Sequence, residues 1–151
     1  IIIVGVSRAG KTPLSMYLSV LGWKVANIPL VPGVPLPEEI YKIDKRRVIA
    51  LTINYKQLLE HRSIRQKRMG KSFIAGYSSK ENIIEEVKQA RDIYRKAGFS
   101  VIDVSSKPIE TSAEEIIEMI IEFGPKVLQV IGLFDLNFDS NLYMLIFKNT
   151  I

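Results

Sequence analysis

The 151-residue sequence contains no cysteine and a single histidine, His61. The first absence excludes disulfides and thiolate metal sites, and it fits a reducing cytosol, so a cytoplasmic location is expected. The second argues against a His-rich metal centre and against a Ser-His-Asp triad. No stretch approaches the ~20 consecutive apolar residues of a membrane span. The opening run Ile1-Ile2-Ile3-Val4 is too short, and lacks the basic flank, to be a secretory signal. No methionine opens the chain and its first residues already read as a strand, which predicts a fragment lacking its N-terminal part. Internal repeats and low-complexity tracts are also missing. Acidic residues are the scarcer charge, 16 against 21 basic ones, for a net +5. The excess gathers in residues 42–47 and 61–71, which favours an anionic partner: a nucleotide, a phosphoprotein or a nucleic acid.

What is present is organised around Gly5-Val6-Ser7-Arg8-Ala9-Gly10-Lys11-Thr12, a complete match to the phosphate-loop pattern G-x-x-x-x-G-K-[ST]. At ordinary residue frequencies a chance match in a chain this short is on the order of one in a few hundred. Its flanks fit as well. The β-branched run before it predicts a buried parallel strand, and Pro13 to Leu21 predicts a helix ended by Gly22. Glycines at both ends let the backbone turn and approach a ligand closely. Loop amides and the helix N-terminus then direct partial positive charge at phosphate. In this pattern Lys11 reaches the terminal phosphates and the Thr12 hydroxyl holds Mg²⁺. Pro13 is unusual there, because it removes an N–H that could have bound phosphate.

Alternating strands and helices continue along the chain. Strands are expected at Lys24–Ile28, Arg47–Ile53 and Phe99–Val104, and helices at Tyr55–Met69, from a capping box Ser78-x-x-Glu81 to Ala97, and from a second box at Thr111-x-x-Glu114. Five prolines and glycines between Pro29 and Pro37 enforce an irregular connection. The apolar Leu30, Val31, Val34 and Leu36 among them predict a loop packed on the domain. A short helix is expected over Pro37 to Lys42. The order of elements predicts a three-layer α/β domain with a mainly parallel sheet, of the P-loop kinase-like kind, over residues 1–122. Residues 123–151 form an apolar tail of uncertain origin, with an edge strand, an oligomer contact or a non-native sequence as alternatives.

Two further features carry two readings each. Arg62, Arg65 and Arg68 recur at three-residue spacing on a basic helix, either as a solvated face or as a guanidinium surface for phosphates. Asp103 closes the fourth strand, where open α/β sheets bind ligands, so it serves as a base or metal-water ligand or else caps the next turn. A nucleotide-hydrolysing switch would need an acid after the third strand, yet Ile53-Asn54 stands there. A nucleic-acid module would use the basic helix, but aromatic interleaving is poor and no known motif is present.

Several motifs together resemble one family. They are the loop with Pro13-Leu14-Ser15, Lys24 to Pro32, Arg47 to Ile53, Ile64-Arg65 with Arg68, and Ile102 to Glu110. The combination resembles the C-terminal part of the pyruvate, phosphate dikinase regulatory proteins, also called kinase–pyrophosphorylases. In that family the proline after the loop is usual, whereas Ala9 stands where Thr or Ser is commoner. The resemblance implies a bifunctional serine/threonine kinase and phosphorylase. ADP phosphorylates a threonine of the dikinase and inactivates it, and inorganic phosphate removes that group as pyrophosphate. A sister branch acts likewise on phosphoenolpyruvate synthase. Carried over, the ADP site is Gly5, Val6, Ser7, Arg8, Ala9, Gly10, Lys11 and Thr12, with Mg²⁺ on Thr12. Lys11 and a mobile Arg8 would supply charge and Asp103 the best available carboxylate. A homo-oligomer is possible, and neither membrane nor nucleic acid is an expected partner.

Overall fold

The computed structural model describes residues 1–69 and 79–122. Strand β1 (Ile2–Val6) lies at the middle of the sheet and is buried along nearly its whole length. It pairs on one side with β2 (Ala26–Leu30) and on the other with β3 (Val48–Thr52), and β4 (Ser100–Asp103) follows beyond β3. All pairings are parallel, with Ile2 opposite both Ala26 and Val48, and Thr52 opposite Asp103. Strands covered on both faces need continuous apolar sequence, which Ile3, Val4, Val48, Ile49, Ala50 and Leu51 supply.

From β1 the chain moves one way through α1 (Lys11–Val20) to β2. From β3 it moves the other way through α2 (Tyr55–Met69) and α3 (Lys80–Ala97) to β4. Right-handed crossovers in opposite directions put their helices on opposite faces. Accordingly α1 packs against α4 (Ile109–Glu122), and α2 against α3. The expected three-layer α/β architecture is found, and the sheet is wholly parallel among the described residues. The strand order reverses at β1. A crevice therefore opens beyond the C-terminal ends of β1 and β3, where ligands bind in such sheets.

Local boundaries differ from expectation in ways that local chemistry explains. Strand β2 starts two residues late and runs through Pro29, because as an edge strand it tolerates one missing N–H. Only Leu30 and Leu36 of the proline-rich connection are buried, while Val31 and Val34 stay exposed. The short helix is a 3₁₀ turn, Glu38–Lys42, pinned by buried Ile40 and by Tyr41 stacked 6.3 Å from Phe99. A second 3₁₀ turn, Lys45–Arg47, is capped by Asp44 and delays β3 to Val48. The cap of α3 is Ser79, accepting from the Asn82 amide, and not Ser78, which lies outside the described residues. With two adjacent serines the box slipped by one.

Helix α4 starts at Ile109, ahead of the expected box. The Ser112 amide and hydroxyl both donate to the Pro108 carbonyl, and Thr111 falls inside the first turn. The stripe Ile83, Val87, Ala90, Tyr94 and Ala97 is buried as its spacing predicts, and Gly98 ends α3 with φ 69°. The expected helix end at Gly70, the loop Lys71–Tyr77 and the tail 123–151 lie outside the described residues.

Candidate functional site

Four residues bridge β1 and α1, and two of them are left-handed: Arg8 with φ 74° and Gly10 with φ 86°. Glycine adopts that conformation freely. For Arg8 it costs about 1–3 kcal/mol, and such strain persists only where surrounding contacts hold it. Gly10 precedes α1 and brings no side-chain cap. The Lys11 and Thr12 amides therefore face outward at the helix N-terminus without intrahelical acceptors, a ready arrangement for an anion. Pro13, third in the helix, has no N–H to add. A Cβ on Gly5 would stand 3.5 Å from Lys11 Cδ, so any longer side chain there would displace the lysine stem.

Lys11 Nζ donates to the Val6 carbonyl at 2.8 Å. Burial lowers its pKa to about 8, with Glu86 pulling it upward and Arg62 pushing it further down. Thr12 is exposed at the start of α1. Its carbonyl accepts from Ser15 Oγ at 3.0 Å, and Ser15 Oγ accepts from Asn27 Nδ2 at 2.8 Å, which ties α1 to β2. No group of three or more His, Cys, Asp or Glu side chains converges among the described residues. The donor set fits a Mg²⁺ carried by phosphate oxygens and water, with Thr12 as one ligand, since that ion ordinarily keeps much of its hydration.

Asp103 closes β4, opposite Thr52. Two strand spacings separate it from β1, roughly 10 Å. Its carboxylate accepts from the Ser105 amide at 2.8 Å and from Ser105 Oγ at 2.5 Å. Partial burial opposes ionisation, but the Ser105 hydroxyl and amide, with Arg91 and Lys107 nearby, hold the carboxyl below its ordinary value. As placed, it braces the turn after β4, the second of its two readings.

The sequence treats Arg62 as one of a surface row, and the structure corrects this. Its side chain is 3% exposed, and Nη1 and Nη2 grip Glu86 Oε2 and Oε1 at 2.7 and 2.8 Å. Nη2 also donates to the Ser7 carbonyl at 3.1 Å. Arg65 and Arg68 remain exposed. The acid was hidden because it arrives from α3, 24 residues later. His61 Nδ1 lies 3.4 Å from the Arg8 carbonyl, so consecutive residues of α2 address consecutive carbonyls of the loop. A cleft of about 220 Å³ adjoins the loop, lined by Gly10 and Pro13, by His61 of α2, and by Lys107 and Ser112 around the start of α4. Sequence spacing gives neither His61 nor Lys107 a place beside the loop; the fold brings them there. A larger cleft, about 490 Å³, opens beside Asn54 and Arg91 and touches none of the loop residues.

A phosphate loop at the switch point of a parallel three-layer sheet defines a domain of the P-loop kinase type. Residues 1–117 match the family described as kinase/pyrophosphorylase, and the chain belongs to it. The chain is also similar to relatives named as pyruvate, phosphate dikinase regulatory proteins. One from Desulfotalea psychrophila is 62% identical over 120 residues, covering 80% of this chain and 42% of that protein. One from Chloroflexus aurantiacus is 52% identical over 120 residues, covering 80% and 43%. A third, from Clostridioides difficile, is 44% identical over 131 residues, covering 87% and 47%. The chain thus spans less than half the length of these relatives.

Proposed function

We propose that residues 1–122 are the phosphate-loop domain of a bifunctional regulator of pyruvate, phosphate dikinase. In one direction it transfers phosphate from ADP to a dikinase threonine, and in the other it moves that phosphate onto inorganic phosphate, releasing pyrophosphate. The observation that carries the reading is the loop itself: uncapped amides of α1, the left-handed Gly10 and the partly buried Lys11 gathered at the switch point. Family membership names the chemistry that such a loop would serve.

Phosphoryl transfer asks a protein chiefly for positioning and charge neutralisation. In this reading Lys11, released from Val6, and Arg8 neutralise the phosphates, while Thr12 contributes to holding Mg²⁺. Asp103 is the carboxylate proposed to accept the threonine proton, after exchanging its Ser105 contacts for the incoming hydroxyl. ADP as donor is what the family resemblance implies, and Pro13 accords with it, because a loop with one donor fewer suits a shorter phosphate chain. A cytoplasmic location accompanies this assignment, and no helix among the described residues is long and apolar enough to cross a membrane.

The test uses the full-length parent protein, purified dikinase and ADP labelled in its β-phosphate. The label should appear on a dikinase threonine and leave as pyrophosphate once phosphate replaces ADP. Transfer from ATP but not ADP would overturn the donor assignment. Phosphorylation of phosphoenolpyruvate synthase, and not of the dikinase, would move the protein to the sister branch.

The exposed end of α2 is the proposed docking surface for that acidic or phosphorylated partner. Arg65→Gln with Arg68→Gln should weaken partner binding several-fold at low salt and flatten its salt dependence, since exposed pairs are readily screened. Titration by surface plasmon resonance at two ionic strengths measures both. Unchanged binding with an intact fold would return these arginines to ordinary solvation.

A further inference from the structure

The Arg62–Glu86 pair lies outside the loop motif, and its geometry assigns it a task. A trans peptide points its C=O and N–H in opposite directions. Arg62 Nη2 and Nε hold the Ser7 carbonyl at 3.1 and 3.4 Å, drawing it toward α2 and α3. The N–H of the same peptide, that of Arg8, is thereby turned the opposite way. Arg8 itself sits at φ 74°, a conformation that requires outside support. Arg62 cannot swing away, because both arms of its fork are engaged by Glu86 at 2.7 and 2.8 Å in a nearly buried site. We infer that Arg62, locked by Glu86, is a positioning residue that fixes the Ser7–Arg8 peptide in its phosphate-binding orientation, so that α3 sets the shape of a loop 79 residues earlier in the chain.

The inference rests on the reading of the loop as an ADP and phosphate site, and the experiment separates the two. Two variants of the full chain are compared with wild type, Arg62→Lys and the double substitution Arg62→Met with Glu86→Leu. The double variant replaces the pair by apolar side chains of similar length, which often keeps a buried site folded. Lysine keeps the charge but not the planar fork that serves carboxylate and carbonyl together. ADP affinity by calorimetry should fall about tenfold or more in the double variant, as expected for losing a charge-assisted hydrogen-bonded support. The lysine variant should fall in between.

Two readouts exclude a merely structural role. The melting temperature without ligand should leave the double variant folded at the assay temperature. The strong intraresidue amide–Hα NOE that marks left-handed Arg8 should weaken in it.

If the double variant is folded, keeps Arg8 left-handed and binds ADP like wild type, the inference is overturned. If wild type binds neither ADP nor inorganic phosphate, the nucleotide reading fails. The NOE of Arg8 then still decides whether the pair shapes the loop.

Discussion

Lys11→Ala should weaken ADP binding about ten- to hundredfold, the ~1.5–3 kcal/mol of a charge-assisted contact. The ammonium begins bonded to the Val6 carbonyl, 2.8 Å away and within the loop, so little movement is needed to exchange that acceptor for a phosphate oxygen. The substitution also deletes the lysine stem that passes Gly5, leaving Arg8 and the amides of the loop and of α1 as donors.

Acidity adds a second signature. With burial holding its pKa at about 8, Lys11 is largely charged at neutral pH and loses its proton far below the ordinary lysine range. ADP affinity should therefore be full below pH 8 and decline above it. Stability should move the other way. Between about 8 and ~10.4 the unfolded chain binds more protons at this site than the folded one, so unfolding free energy rises with pH across that window. Calorimetry with ADP and Mg²⁺ at pH 7 and 9, on wild type and Lys11→Ala, measures the affinity change and its pH dependence. Equal affinities at pH 7 would sink the assignment of Lys11 as a phosphate ligand.

The loop and its sheet were legible because their determinants are local. A phosphate loop must spell its glycines, and strands covered on both faces must be apolar throughout, as β1 and β3 are. The stripe of α3 was readable for the same reason: its 3.6-residue period survives in the sequence. Failures came where the deciding partner is remote. Arg62 is indistinguishable from Arg65 by spacing, and only the packing of α3 on α2 shows which of them meets Glu86. Asp103 was left with two readings, and the turn it braces through Ser105 is the local one of the two. That turn is itself tied to α2, with Ser105 Oγ accepting from the Asn54 amide and Ser106 exchanging hydrogen bonds with Gln57. His61 and Lys107 reach the cleft beside the loop through the tertiary fold alone.

Glu86→Ala should be among the most destabilising single substitutions in the domain, at about 3–5 kcal/mol, the cost of leaving a buried charge without its partner. The Arg62 side chain is 3% exposed and Glu86 11%, so water cannot readily replace the lost carboxylate. Nor can the arginine shed its charge, because guanidinium stays protonated at any accessible pH. The Ser7 carbonyl, which it also holds in the loop, is a neutral group and cannot balance that charge. For comparison, Tyr94→Phe removes only a hydroxyl bonded to the Leu51 carbonyl at 3.3 Å and should cost about 1 kcal/mol. Breaking the Arg62–Glu86 pair is costly chiefly through the charge left behind, so removing both partners as Arg62→Met with Glu86→Leu should recover most of the loss. Urea unfolding of the wild type, the single and the double variant closes this cycle. Recovery of stability without recovery of ADP affinity would mean that the pair is kept for the shape of the loop. A double variant as unstable as Glu86→Ala would mean that it is kept for the packing of α2 on α3.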